Sequence, residues 1–131
     1  MATILIIDDN DVLRETLVTV LEDEGFATLV AEDGVSGVGV FSASRPDAVI
    51  LDMIMPRSNG LDTIRAILAI DPQARIVAMS GGSLISADYY LDVAETLGAM
   101  QVLSKPFEVE DLVRAIRTCL GLPLARGVSA A

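Results

Sequence analysis

Three aspartates and one lysine stand at the ends of apolar runs, far apart in the chain and alike in setting. Asp8 and Asp9 follow Ile4-Leu5-Ile6-Ile7, Asp52 follows Val49-Ile50-Leu51, and Lys105 lies in Leu103-Ser104-Lys105-Pro106-Phe107. Lys105 is the only lysine among nine basic residues, so this position carries a compact ammonium in a chain that otherwise uses guanidinium. Such a point charge suits contact with a phosphate-like group. Crowded carboxylates repel one another and stay ionised together only when a cation joins them. Oxygen donors without histidine or thiolate favour Mg²⁺, with Mn²⁺ as the alternative, over zinc. A carboxylate beside such a metal can act as a nucleophile and take up a phosphoryl group. The transferring group spreads negative charge over three oxygens, which ammonium and hydroxyl donors would meet. Lys105 and Ser80 offer those donors, and the set reads as a metal-assisted phosphoryl site.

Taken singly, each residue has a plainer role. Asp8, Asp9, Asn10 and Asp11 could compete to cap a helix. Asp52 could be a turn residue before Pro56, Ser80 a loop residue before two glycines, and Lys105 an ordinary surface lysine. Their joint placement is what the plain roles do not predict.

The elements that must position them alternate in type. Short apolar runs over 3–7, 27–31, 48–51, 75–79 and 100–103 read as strands buried on both faces. Helical spacing appears over 11–24, 34–43, 61–70, 87–97 and 108–120, the second diluted by glycine. Asn10 or Asp11 is the expected N-cap of the first helix and Gly25 its stop. The last helix has acids in its first turn and arginines later, as the helix dipole favours. Five βα units in strict alternation predict a doubly wound α/β domain, a parallel sheet with helices on both faces. Ligands of such sheets sit beyond the carboxyl ends of the strands. Asp8, Asp9, Asp52, Ser80 and Lys105 all fall on that edge. The domain is expected over residues 1–121, with a short tail over 122–131.

Composition narrows the function. At 131 residues with 52% hydrophobic content, the chain supports one compact core and argues against disorder. A net charge of −10 disfavours contact with nucleic acid or anionic lipid. The absence of histidine removes serine–histidine and cysteine–histidine catalysis. No apolar stretch approaches a membrane span, and no secretory signal is visible. Cys119, the lone cysteine, suits a reducing compartment and inert core packing, so a cytoplasmic location is expected.

Ile6-Ile7-Asp8-Asp9-Asn10, Leu51-Asp52-Met53-Ile54-Met55-Pro56 with Gly60-Leu61, Met79-Ser80-Gly81 and Ser104-Lys105-Pro106-Phe107 together resemble the receiver domain of two-component response regulators. The resemblance runs from residue 3 to about 121, with four motifs in order. It implies a flavodoxin-like (βα)5 fold with strand order 2-1-3-4-5. It implies Asp52 as phosphoacceptor and Mg²⁺ held by Asp9, Asp52 and the Ile54 backbone carbonyl, with Asp8 acting through water. Ser80 and Lys105 would hold the phosphoryl oxygens. The phosphoryl donor would be a histidine kinase or histidine phosphotransfer protein, and the output a contact with a downstream effector protein. A stand-alone receiver is expected, catalysing only its own phosphorylation and dephosphorylation. It would be a monomer or a weak dimer through the face of the fourth helix, fifth strand and fifth helix.

Three positions depart from the family pattern. Val102 occupies a place that is usually aromatic, so it has no ring to swing inward. Ser80 stands where threonine is commoner, and the stretch over 81–86 looks extended. A degenerate receiver used as a structural interaction module is one rival reading. A phosphatase with an aspartate nucleophile is another, although it needs a general acid two residues on, where this chain has Ile54. A flavodoxin-like cofactor protein is a third, but a phosphate loop after the first strand is missing.

Overall fold

The computed structural model describes residues 1–55, 58–80, 96 and 98–123. Its sheet is built from β1 (Thr3–Ile7), β2 (Ala27–Ala31), β3 (Ala48–Asp52), β6 (Ile76–Ser80) and β7 (Gln101–Ser104). All pairings between them are parallel, in the order β2-β1-β3-β6-β7, which is 2-1-3-4-5 when these five are counted along the chain. A separate antiparallel hairpin joins β4 (Ile54–Met55) to β5 (Ser58–Asn59). The helices are α1 (Asp11–Asp23), α2 (Gly34–Ser44), α3 (Gly60–Ile70) and α4 (Val109–Leu120).

Successive side chains of a strand point to opposite faces, and β1 shows the consequence. Ile4 and Ile6 pack with Leu17 and Leu21 of α1 and Leu112, Ile116 and Cys119 of α4. Leu5 and Ile7 pack on the other face with Phe41 of α2 and Ile64 and Ile67 of α3. Both layers are buried, so β1 and β3 read as unbroken apolar runs rather than alternating ones. Glycine-diluted α2 still forms because it must lie flush on the sheet: a Cβ at Gly37 would overlap the Ile7 side chain.

Local signals fix the helix ends. Asn10 caps α1, its side chain accepting from the Leu13 N–H at 3.0 Å, and Gly25 turns the chain at φ 93° just beyond it. A capping box of Glu108 and Asp111 opens α4. At the edge of the sheet remote from the acids, Arg117 of α4 is 6% exposed and pairs with Glu24 at 3.1 Å. Its guanidinium lies 5.5 Å from the Phe26 ring centre and donates to the Pro123 carbonyl at 3.5 Å.

Several boundaries differ from expectation by one residue. Strands β3, β6 and β7 run through Asp52, Ser80 and Ser104, because ladder hydrogen bonds do not require apolar side chains. The hairpin was not expected at all. The expected helix over 87–97 and loop over 81–86 lie outside the described residues apart from Thr96, which is helical; so does the tail beyond 123. Cys119 is buried as expected, and burial pushes its thiol up to about 11.

Candidate functional site

Register brings the polar residues to one edge. Ile7 pairs with Leu51, Asp52 with Met79, and Ser80 with Ser104. Asp8, Asp52, Ser80 and Lys105 therefore emerge within about one residue of a common level. Among the described residues, Asp8, Asp9 and Asp52 form a cluster in which a carboxylate oxygen from each lies within 4.8 Å of the others.

Asp8 is fully buried, Asp52 is 4% exposed and Asp9 is exposed. The Asp8 Oδ1 accepts the Asn10 N–H at 2.8 Å, while its buried Oδ2 accepts no hydrogen bond among the described residues. Lys105 enters from β7 with its Nζ 3.6 Å from Asp8 Oδ2 and 3.3 Å from Asp52 Oδ2. The other Asp52 oxygen accepts the Ile54 N–H at 3.0 Å. Burial raises the Asp52 carboxyl to about 6, opposed by the Ile54 N–H and the Lys105 charge and assisted by the negative charge of Asp8.

Ser80 Oγ is buried and also lacks a hydrogen-bond partner among the described residues. Its carbonyl accepts the Lys105 N–H at 2.7 Å, so the hydroxyl and ammonium positions share one backbone link. Val102 is partly buried and packs against the core on the α2–α3 face.

Two contributors escaped the sequence reading. Gly60, at the start of α3, abuts the residue after Asp52: a Cβ there would come within 2.6 Å of Met53 Cα. Arg14 reaches back from α1 to the Asp8 carbonyl. The motif that carried the resemblance contained Gly60, but its close approach is visible only in three dimensions.

The acidic cluster suits a hard divalent cation. Three carboxylates converge on one place, and the buried Asp8 Oδ2 takes no hydrogen bond from the described residues. Lys105 Nζ, 3.6 Å away, is the one cation facing it among the described residues, and one ammonium leaves three carboxylates undercompensated. An all-oxygen donor set matches Mg²⁺.

Residues 4–117 match the family model of the response regulator receiver domain. The chain belongs to that family. The response regulator MprA of Mycobacterium sp. (strain KMS) is 34% identical over 118 residues, covering 89% of this chain and 50% of that protein. MprA of Mycobacterium tuberculosis (strain ATCC 25177 / H37Ra) is 33% identical with the same coverage. The receiver thus spans about half the length of these relatives. Among solved structures, a response regulator receiver domain protein from Clostridium thermocellum superposes with TM-score 0.86 at 30% identity, covering 92% of this chain and 95% of that one. The receiver domain of NtrX from Brucella abortus gives 0.84 at 27% identity, covering 92% and 99%. Receiver domains serve two-component signalling, where phosphorylation and Mg²⁺ are the family expectation. No helix among the described residues is long and apolar enough to cross a membrane.

Proposed function

We propose that residues 1–121 form a receiver that takes a phosphoryl group onto Asp52 from a phosphohistidine on a histidine kinase or phosphotransfer protein. The observation that carries this is Lys105 Nζ standing between two buried carboxylates, 3.3 Å from Asp52 and 3.6 Å from Asp8. Even in the metal-free site, where burial raises its carboxyl to about 6, Asp52 is about nine-tenths ionised at pH 7. A bound cation would favour the ionised form further, so the carboxylate is available as a nucleophile.

In the step, an Asp52 oxygen forms a bond to phosphorus as the P–N bond to the donor imidazole breaks. The bonding pair returns to the imidazole nitrogen, which takes up a proton. Lys105 then meets the phosphoryl oxygens as Asp52 gives up its free negative charge. Ser80 Oγ has a hydroxyl proton available for the same oxygens. Asp8, Asp9, Asp52 and the Ile54 carbonyl would hold Mg²⁺, which when bound offsets the charge on the carboxylates and the phosphoryl group.

Water reverses the modification, so the chain catalyses only its own phosphorylation and dephosphorylation. The output is a contact with an effector protein, with no nucleic acid engaged directly. The buried, unpaired Cys119 fits a reducing cytoplasm. Acetyl phosphate with Mg²⁺ tests the assignment: mass spectrometry should find one base-labile phosphoryl group at Asp52, and none in Asp52→Asn. Full labelling of the Asn variant would sink it.

A further inference from the structure

Arg14 has no part in the step above, yet it is a closely held cation beside the acidic cluster. Its side chain is 16% exposed, although it lies in the second turn of a surface helix. Its guanidinium forks: Nη1 donates to the Asp8 backbone carbonyl at 2.7 Å and Nη2 to Asp11 Oδ1 at 2.6 Å. The two acceptors bracket Asp9 and Asn10. Inside that bracket, the Asn10 N–H donates to Asp8 Oδ1 and the Asn10 carbonyl accepts the Arg14 N–H at 2.9 Å.

Asp9 needs such a brace. Its carboxylate is exposed and makes no hydrogen bond or ion pair among the described residues. Among the described residues, the direction of that side chain is set by the backbone on either side of it. Asp8 anchors one side through β1 and its N–H to the Ala31 carbonyl at 3.1 Å. Arg14 ties the other side to the same point.

We infer that Arg14 is a positioning residue for the cation site, fixing the Asp8–Asp11 turn so that the Asp9 carboxylate is aimed before the metal arrives. The inference rests on the acidic cluster being the Mg²⁺ site. Coulomb's law alone points the opposite way. A guanidinium near the cluster repels a divalent cation, so its removal would tighten binding if charge were its only influence. Positioning predicts weaker binding, and the sign decides between them.

The test titrates MgCl₂ calorimetrically into wild type, Arg14→Gln and Arg14→Lys, each checked by thermal melting in EDTA. Arg14→Gln should weaken Mg²⁺ binding about tenfold, the low end of losses seen when the supports of a metal ligand are removed. Arg14→Lys should weaken it also, since one ammonium cannot span both acceptors as the planar fork does. In EDTA, hydrogen exchange at the amides of residues 9–11 should speed up in both variants. Unchanged or tighter Mg²⁺ binding by Arg14→Gln overturns the inference, as does wild-type affinity in Arg14→Lys. If Arg14→Gln fails to fold, the charge-keeping variant decides alone. A wild type that takes up no Mg²⁺ overturns the cation site itself and the inference with it, whereas a failure confined to the variants leaves the site standing.

Discussion

Replacing Asp52 by Asn should stabilise the metal-free protein at neutral pH, although it removes a partner of Lys105. The folded carboxyl titrates at about 6 against an ordinary 3.8, chiefly because burial penalises its charged form. Between those values the folded state holds the proton more tightly than the unfolded state, so stability falls as pH rises through about 6. Below 3.8 the carboxyl is neutral in both states and the penalty is absent. At about 1.4 kcal/mol per pH unit, the interval corresponds to about 3 kcal/mol at pH 7.5. Asp52 is only 4% exposed, so solvent screening does little to reduce it. The Asn side chain keeps an oxygen for the Ile54 N–H and removes the buried charge. For a chain of this size, the gain corresponds to a rise in Tm of about 10 °C. Melts of both proteins in EDTA from pH 3.5 to 8 measure it. The curves should coincide at the acid end and separate through pH 4–6.5. An Asn variant no more stable than wild type at pH 7.5, or a gain that persists unchanged at pH 3.5, would refute the reasoning.

Millimolar Mg²⁺ should raise the Tm of wild type but not of Asp9→Ala, since only a ligand bound to the folded state shifts the equilibrium; equal shifts in both would remove Asp9 from the site. Gly60→Ala places a Cβ 2.6 Å from Met53 Cα and 2.8 Å from Met53 O, both backbone atoms that cannot step aside. It should cost about 1–3 kcal/mol in urea denaturation and slow Asp52 phosphorylation, because Met53 is the next residue along. Glu24→Ala removes the carboxylate partner of Arg117, whose side chain is 7% exposed, and should cost about 2 kcal/mol; the 28% exposure of Glu24, the Pro123 carbonyl and the Phe26 ring keep it below fully buried pairs. Phosphorylation rates in that variant should stay at the wild-type value, since the pair lies at the opposite edge of the sheet.

The sheet was legible because each of its strands leaves a local trace. β1 and β3 are continuous apolar runs, and Asp8, Asp52 and Lys105 stand out as charges that end such runs. The hairpin of β4 and β5 left none, because two-residue strands have no periodicity to detect. The one-residue extension of β3, β6 and β7 was hidden by the polar character of Asp52, Ser80 and Ser104. Arg14 looked like any basic residue near a helix start; a guanidinium one turn after Asp11 was the available signal. The pairing of Arg117 with Glu24 spans 93 positions and depends on how α4 lies beside α1, which sequence spacing does not encode.

Asp52 sits at the end of β3, its ammonium partner Lys105 just past the end of β7, and Asp8 and Asp9 just past the end of β1. Chain order therefore completes the set only at its last strand. A nascent polypeptide that has emerged only as far as β6 has its acids but no lysine to balance them. Parallel strands joined through helices close their contacts late, because distant segments must meet before any reward is gained. If Asp52 is the phosphoacceptor as proposed, competence to be modified arrives as the edge strand β7 docks, and is lost when that strand lets go. On the proposed chemistry, the phosphoryl group should therefore enter only molecules in which β7 has docked. Labelling by acetyl phosphate during refolding would count native molecules directly, with no spectroscopic probe.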